Sequence, residues 1–415
     1  MSTIFDVARR ANVSITTVSR ALNGYSDVSE TTRKRIIEAA RALDYYPSAT
    51  ARNLQGRRTD TIALAPLINE HIESEPFFTE VLGLLALSAF HHNLSLLVTV
   101  ADALSSREIY RELAGSNRVD GVILADIKPQ DERIPLLSKL NLPFVAFGRT
   151  ADYESLDYPF VDVDNESGMR RVVEYLVSKG HRRIAYVSGP LNTSYSLHRY
   201  SGYRKGLEHG GLPLEERLVI ADLQVQDDTV KAVARLISTQ PDEPPETPGR
   251  HGMEERVAIS AIVAANDNLA LQVVRALQER GIEVGSTPGC IAVSGFDDLP
   301  FAEHVHPPLT TVRQPLAAIA DLLLDMLVLV INSKTASRKK TRTAGKATQM
   351  TSQNQPAVRS RHVPRGENGQ TEPYEDGHGE AEAKAHVMEH SSPQIKLMGP
   401  THALVVPELV VRASA

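Results

Sequence analysis

The sequence predicts a small all-α head of the helix-turn-helix type, joined to a larger α/β body that divides into two lobes. Three features of the chain lead there. Residues Thr3 to Gly24 carry two short amphipathic helical patterns around a tight turn. From Thr61 onward, short apolar runs alternate with longer helical patterns, the signature of parallel sheet with helical crossovers. Charge is also uneven. Residues 1 to 58 hold ten Lys/Arg against five Asp/Glu, a net of +5, so the remainder carries −11 of the overall −6. A basic head on an acidic body suits a protein whose head meets phosphates and whose body avoids them.

In the head, Thr3 followed three residues later by Asp6 is a capping-box pattern, and Ile4, Val7, Ala8 and Ala11 recur at helical spacing. Asn12, Val13 and Ser14 form the turn. Ser14 caps a second helix whose inner side is Val18, Ala21 and Leu22, with Thr16, Arg20 and Asn23 on the opposite side. Such a helix fits a major groove; a helical hairpin with an ordinary polar face is the plainer reading. Ser29 caps a third helix with Ile36, Ala40 and Leu43 inside. After Tyr45-Tyr46-Pro47, the segment from Ser48 to Gln55 has a cap, small residues and a stop at Gly56, yet spans only about two turns. A helix that short is ordered only against a partner; otherwise the segment is a plain linker.

In the body, strand-like runs begin at Thr61, Leu94, Gly121, Pro143, Phe160, Ile184, Ala261 and Ile291. Helical patterns between them include Thr79 to His91, Ser167 to Lys179, Gly202 to His209, Thr229 to Ile237 and Leu269 to Arg280. About 270 residues of this texture exceed one compact layer, so two lobes with a ligand cleft at the carboxyl ends of their strands are expected. Gln240 to Gly252 is a Pro-rich surface loop. Residues 333–401 are polar and aperiodic, and strand character returns at Ala403 to Arg412.

The single cysteine, Cys290, excludes an internal disulfide and a cysteine-built metal site, and its apolar neighbours predict a buried structural thiol. No phosphate-binding loop, dinucleotide fingerprint or nucleophile elbow occurs. His91-His92 and His304-x-His306 lack a metal-site context, so neither an enzyme nor a cofactor is expected. With no signal peptide and no apolar run of membrane-spanning length, the expectation is a soluble cytoplasmic protein without membrane association.

These residues resemble the lactose-repressor family of bacterial transcription regulators. The matching stretches include IFDVARRANVSITTVSRALNG, LVSKGHRRIAYVSGP, AIVAANDNLALQVVRALQERGI, VSGFDDLP and PPLTTVRQPL, and together with similar pieces they span nearly the whole chain outside the two irregular segments. The resemblance implies a head at 1–47 and a hinge helix at 48–58. It also implies a core like periplasmic sugar-binding proteins, with lobes at 59–161 plus 315–332 and at 162–314 plus 402–415. Such a protein works as a homodimer on a near-palindromic operator and answers to a small-molecule, sugar-like effector. Groove-reading positions fall on Ile15, Thr16 and Arg20. Thr3, Ser14, Thr17, Ser19 and Asn23 are placed for phosphates, Leu54 for a minor-groove wedge and Ala51 for hinge–hinge approach. A small-core leucine is the alternative for Leu54.

Effector positions fall on Arg199, Asn266 and Asp297, with Arg149, Gln314 and the aromatic faces of Phe77, Phe78, Tyr195 or Phe296 as further candidates. A turn or cap role for Asp297 and a surface ion pair for Arg199 are the plainer readings. Arg149 departs from the acidic residue that some sugar-responsive members carry there. A repressor of a carbohydrate-use operon is the leading expectation. A corepressor-dependent repressor, an activator, and a cytoplasmic sugar-binding protein with an unrelated head are the alternatives. The family passes by a short connection where this chain has residues 333–401, which read as a disordered insertion or as a misread frame.

Overall fold

The computed structural model describes residues 2–22, 25–45, 58–67, 76–100, 106–150, 156–223, 229–238, 259–352, 394–399 and 401–415. The head is three helices, α1 (Ile4–Ala11), α2 (Ile15–Leu22) and α3 (Glu30–Ala42). Val7, Ala11, Val18 and Ile36 close on one another as its core. Thr3 and Asp6 form the capping box, and Ser14 Oγ accepts from the Thr17 N–H at 3.1 Å to start α2. Arg33 of α3 donates to the carbonyls of Ala21 and Tyr25, both at 2.6 Å, and so fixes the exit of α2. Asn23 and the whole segment 46–57, with the expected hinge residues Ala51 and Leu54, lie outside the described residues, as does the Pro-rich loop.

The first lobe is built on β1 (Thr61–Leu67), β2 (Ser95–Val100), β3 (Gly121–Leu124), β4 (Phe144–Phe147) and β5 (Phe160–Val163). Around them lie α4 (Pro76–His91), α5 (Ser106–Gly115) and α6 (Arg133–Lys139). Strands buried on both faces read as continuous apolar runs, which is why β3, with every residue buried, was legible as Gly-Val-Ile-Leu. The second lobe holds α7 (Asn165–Ser178), β6 (Ile184–Val187), α8 (Ser194–His209), β7 (Val219–Ile220), α9 (Thr229–Ser238), β8 (Ala261–Ala264), α10 (Asp267–Gln278), β9 (Ala292–Ser294) and β10 (Thr311–Arg313). The chain then returns to the first lobe through α11 (Leu316–Ser352), β11 (Ile395–Gly399) and β12 (His402–Val405), and ends with β13 (Glu408–Val410).

Among the described residues the first sheet runs β11-β12-β5-β4-β3-β1-β2, parallel except for β11, and the second runs β7-β6-β8-β9, all parallel. β10 and β13 pair antiparallel. The chain therefore passes between lobes three times, after Val163, after Arg313 and after Val405.

Four expectations are corrected here. Residues 402–405 belong to the first lobe, because β12 pairs with β5 and Pro407 then breaks the run before β13 pairs with β10. Residues 333–352 continue α11, helped by Ala, Lys and Arg and by the absence of proline before Pro356; 395–399 form β11; and residues 353–393 lie outside the described ones. Cys290 is half-exposed beside Thr287, since β9 starts only at Ala292. The stretch Leu316–Thr335 has the length and composition of a membrane span, yet Ile319, Leu323, Leu324, Leu327 and Ile331 are buried against the first sheet as a core helix.

Two close approaches hold the second lobe together. A Cβ at Gly202 of α8 would stand 2.3 Å from the Glu166 carbonyl oxygen, and one at Gly206 would stand 2.5 Å from Val173 Cβ, so α7 and α8 touch backbone to backbone. Asp267, fully buried at the start of α10, accepts from the Leu299 N–H at 2.8 Å and from the Thr311 hydroxyl. Burial, and then the neighbouring Asp297 charge, push its carboxyl up to about 7.

Gly202→Ala is expected to cost about 1–3 kcal/mol by overpacking and to lower the melting temperature by several degrees in calorimetry. Because the folded pKa of Asp267 is raised, its contribution to stability is complete below about pH 4 and is lost as pH rises through about 7. Asp267→Asn removes that dependence. The stability of the variant relative to the parent is therefore expected to improve between pH 5 and pH 8, and a constant difference would contradict the assignment.

Candidate functional site

The head presents one candidate surface. On α2, Ile15 and Thr16 are exposed, and Thr17, Ser19 and Arg20 are half-buried. Val18 and Ala21 on the opposite side are locked in the core, which turns this surface outward. Thr3, Ser14 and Thr17 are engaged in the capping hydrogen bonds that start α1 and α2. Arg20 is held. Its guanidinium pairs with Asp27 at 2.5 Å and stacks 4.7 Å over the Tyr25 ring. Any new acceptor for this guanidinium competes with Asp27.

Between the lobes lies a cleft with about 1090 Å³ of atom-free space counted to its open mouth. The carboxyl ends of β1, β3, β4 and β5 open into it, as expected for a doubly wound sheet. Phe77, Phe78, Val81, Ile127 and Phe147 give an apolar wall on the first lobe; Tyr195, Arg199, Asn266, Asp297 and Gln314 face them from the second.

The polar wall is organised by Arg199, on the second turn of α8. Its Nε donates to Asn165 Oδ1 at 2.9 Å, one Nη to the Ala265 carbonyl at 2.7 Å and the other to Asp297 Oδ1 at 3.0 Å. The guanidinium carbon lies 3.8 Å from the centre of the Phe296 ring and 5.3 Å from that of Tyr195. Gln314 Nε2 donates to the same Asp297 oxygen at 2.6 Å. Asp297 sits at φ 125° and Asp298 at φ 55°, conformations that cost a non-glycine residue on the order of 1–3 kcal/mol; these bonds hold the first, and ion pairs from Arg313 and Arg412 hold the second. Asn266 caps α10 by accepting from the Leu269 N–H at 2.8 Å, and it also borders the cleft.

Phe77, Arg199, Asn266, Asp297 and Gln314 are thus brought together, with Phe78 and Tyr195 beside them. Two candidates are not. Phe296 is buried beneath Arg199, and Arg149 lies behind the wall, where it donates to Asp162 Oδ2 at 2.9 Å. Burial outweighs the attraction of Arg149 and lifts the Asp162 carboxyl to about 6. Asp162 itself reaches the cleft, so Arg149 positions a lining residue and does not line the cleft.

Sequence reasoning missed Asp126. It follows β3 at φ 52°, and Arg133 clamps the backbone there by donating to the carbonyls of Ala125 and Asp126 at 2.8 and 2.9 Å while pairing with Asp131. The Asp126 carboxylate borders the cleft, and no hydrogen bond or ion pair from the described residues reaches it. Desolvation raises its pKa. Its position two residues past a buried parallel strand was the available signal.

The family model "Bacterial regulatory proteins, lacI family" matches residues 3–48, and the model "Periplasmic binding protein-like domain" matches residues 173–349. The HTH-type transcriptional regulator CelR of Thermobifida fusca is 34% identical over 332 residues, covering 79% of this chain and 92% of that protein. Catabolite control protein A of Priestia megaterium is 30% identical, covering 80% and 93%. Among solved structures, a transcriptional regulator CelR–cellobiose complex aligns at a TM-score of 0.61, with 26% identity over the full length of both chains. The lac repressor dimer bound to operator and the anti-inducer ONPF aligns at 0.64, with 25% identity over 80% of this chain and 93% of the other. With a three-helix head, a cleft between two parallel-sheet lobes and relatives of this identity and coverage, the chain belongs to the LacI family of bacterial transcriptional regulators, which bind DNA and are not enzymes.

Proposed function

We propose that this regulator is a cytoplasmic repressor of a carbohydrate-use operon, released from its operator when a neutral, polyhydroxylated ligand occupies the cleft. One observation carries the ligand class. Acidic acceptors stand on both walls, Asp126 on the first lobe and Asp297 on the second, and the cationic Arg199 is already committed to Asp297. Such a cleft takes hydroxyl donors between its lobes and repels phosphate or carboxylate groups. The apolar ring-sized wall of Phe77, Phe78 and Phe147 suits the C–H faces of a sugar, and the space is that of a small-molecule site. The CelR relative is solved with cellobiose, which makes cellobiose the first ligand to try.

On the DNA side, a homodimer would place two α2 helices on a near-palindromic site. Arg20 would read a guanine edge, and Ile15 and the Thr16 methyl a thymine methyl, while Thr3, Ser14, Thr17, Ser19 and Asn23 hold register on phosphates. Leu54 would wedge a minor-groove step, with Ala51 letting the hinges approach. Closing or opening the cleft changes the angle at which the lobes hold the hinges, so the ligand acts by differential affinity for two states.

Cellobiose or another neutral glycoside is expected to raise the melting temperature, and glucose 6-phosphate is not. Asp126→Asn should keep the fold and operator binding but weaken the ligand about tenfold or more, the worth of a charge-assisted hydrogen bond. A sugar phosphate binding equally well would sink the neutral-ligand reading. For the head, Arg20→Ala should weaken operator binding by about 1–3 kcal/mol and relax specificity at one base pair in mobility-shift assays at fixed salt. Leu54→Ala should reduce DNA bending in the same assay, and unchanged bending would remove the wedge.

A further inference from the structure

The Arg20 side chain is fixed from two directions. Asp27 Oδ2 accepts from one terminal nitrogen at 2.5 Å, and the guanidinium carbon lies 4.7 Å from the centre of the Tyr25 ring. Nε is buried and makes no hydrogen bond among the described residues. An arginine has five N–H groups. With Nε enclosed and one hydrogen given to Asp27, three on the terminal nitrogens remain for a ligand.

The turn that carries Tyr25 and Asp27 is anchored independently of this pair. The Tyr25 N–H donates to the Arg20 carbonyl at 3.1 Å, and the Tyr25 carbonyl accepts from Arg33 at 2.6 Å. One residue after Asp27, Val28 is buried in the head core, and Ser29 then caps α3 by accepting from the Thr32 N–H at 3.3 Å. Asp27 therefore has its place set by the backbone on both sides, and the restraint runs from Asp27 to Arg20. An isolated, half-exposed ion pair holds little by itself. Here a stacked ring and an anchored turn act with it to fix the guanidinium plane.

The charge of Asp27 acts against DNA binding. Asp6 and Glu30 stand in the first turns of α1 and α3, where the helix dipole favours a negative charge. Asp27 lies outside the helices, against Arg20 of α2, and a carboxylate there repels phosphates whatever the sequence of the duplex. The chemistry of arginine shows what offsets this. A free arginine is long and flexible; facing the wrong base pair it turns to a phosphate or to any single acceptor, so the mismatch costs little. A guanidinium held in one plane loses that escape, and its donors stay unpaired against the wrong base. Against the right base it has little rotamer freedom left to lose.

We propose that Asp27 is a positioning residue for base recognition. With Tyr25 it holds the Arg20 guanidinium in one plane and one direction, so that Arg20 pairs with a guanine edge and cannot swing to another acceptor when a different base pair stands there. A newcomer meets least competition from Asp27 at the opposite terminal nitrogen. Guanine O6 and N7 can be met by that nitrogen together with the second hydrogen of the one that Asp27 holds. Asp27 thus lowers affinity for every duplex and widens the gap between right and wrong sequence. The inference rests on the reading of guanine by Arg20.

The test uses the full-length protein and a palindromic duplex recovered by selection from random sequences, with each base pair then substituted symmetrically in both half-sites. Affinities are read by fluorescence anisotropy at fixed salt. The pair that Arg20 reads is the one whose preference Arg20→Ala removes. Asp27 is half-exposed and outside the head core, so Asp27→Asn keeps the fold, as equal melting temperatures should show. This variant is expected to bind duplexes of unrelated sequence more tightly, through lost repulsion. At the pair read by Arg20 its preference should shrink about fivefold or more, the scale of coupling between side chains in contact. Preferences at the other pairs should equal the parent's, and in the Arg20→Ala background Asp27→Asn should change no preference at all.

An equal gain at every duplex, with the preference at that pair intact, overturns the proposal, since Asp27 is then a plain surface charge. A preference that grows in Asp27→Asn overturns it too, because the ion pair is then a lock on Arg20. If Arg20→Ala leaves every preference unchanged, the reading of guanine by Arg20 fails and the positioning role goes with it. A preference lost in Arg20→Ala and kept in Asp27→Asn defeats the positioning role alone.

Discussion

A single buried guanidinium ties the second lobe to the cleft. Arg199 reaches from α8 to the first residue of α7, to the carbonyl after β8 and to the turn after β9, and it rests on the face of Phe296. Three segments far apart in sequence meet only because one planar fork of donors can satisfy an amide oxygen, a backbone carbonyl and a carboxylate together. Removing it would take the cationic partner from the buried Asp297 carboxylate and leave Asn165 and the Ala265 carbonyl without their shared donor. The arrangement also explains why Gln314 belongs to the site. It shares the Asp297 oxygen and is the last cleft residue before the chain crosses back to α11.

Much of this was legible in the sequence, for physical reasons. Parallel strands buried on both faces must be continuous apolar runs, so β3, β5, β6 and β8 stood out as Gly-Val-Ile-Leu, Phe-Val-Asp-Val, Ile-Ala-Tyr-Val and Ala-Ile-Val-Ala. Helix α2 was legible because its inner and outer faces obey the helical period. Effector positions were reached through family resemblance, and most of them converge on one cleft.

What was not legible depends on partners distant in the chain. Arg149 has the same composition cues as a ligand-binding arginine, and only its neighbour Asp162 makes it a support. Asp126 has no local motif, since its exposure to the cleft follows from the sheet order and from the Arg133 clamp. The run from Ala403 to Arg412 reads as one strand, although Pro407 divides it into two that serve different lobes. In α11 the apolar half signalled a helix and the polar half concealed its continuation, because the apolar stripe that makes such a pattern readable ends at Ile331 while helix propensity does not.

The three crossings between lobes lie in a row. β12 is next to β5 in the first sheet, and β13 pairs with β10, so the passage at Val406 and Pro407 runs between the other two. The Asp164 N–H donates to the Val405 carbonyl at 2.9 Å, and Arg171 to that of Pro407 at 3.2 Å, stitching the row across the junction. Three covalent links side by side resist sliding and twisting, and leave rotation about the line through them as the soft coordinate. The state of the cleft then reduces to one angle. Anything bound between the lobes can report to the distant end of the first lobe only by how far it turns that angle, so two chemically unlike molecules become equivalent whenever they wedge the lobes to the same opening.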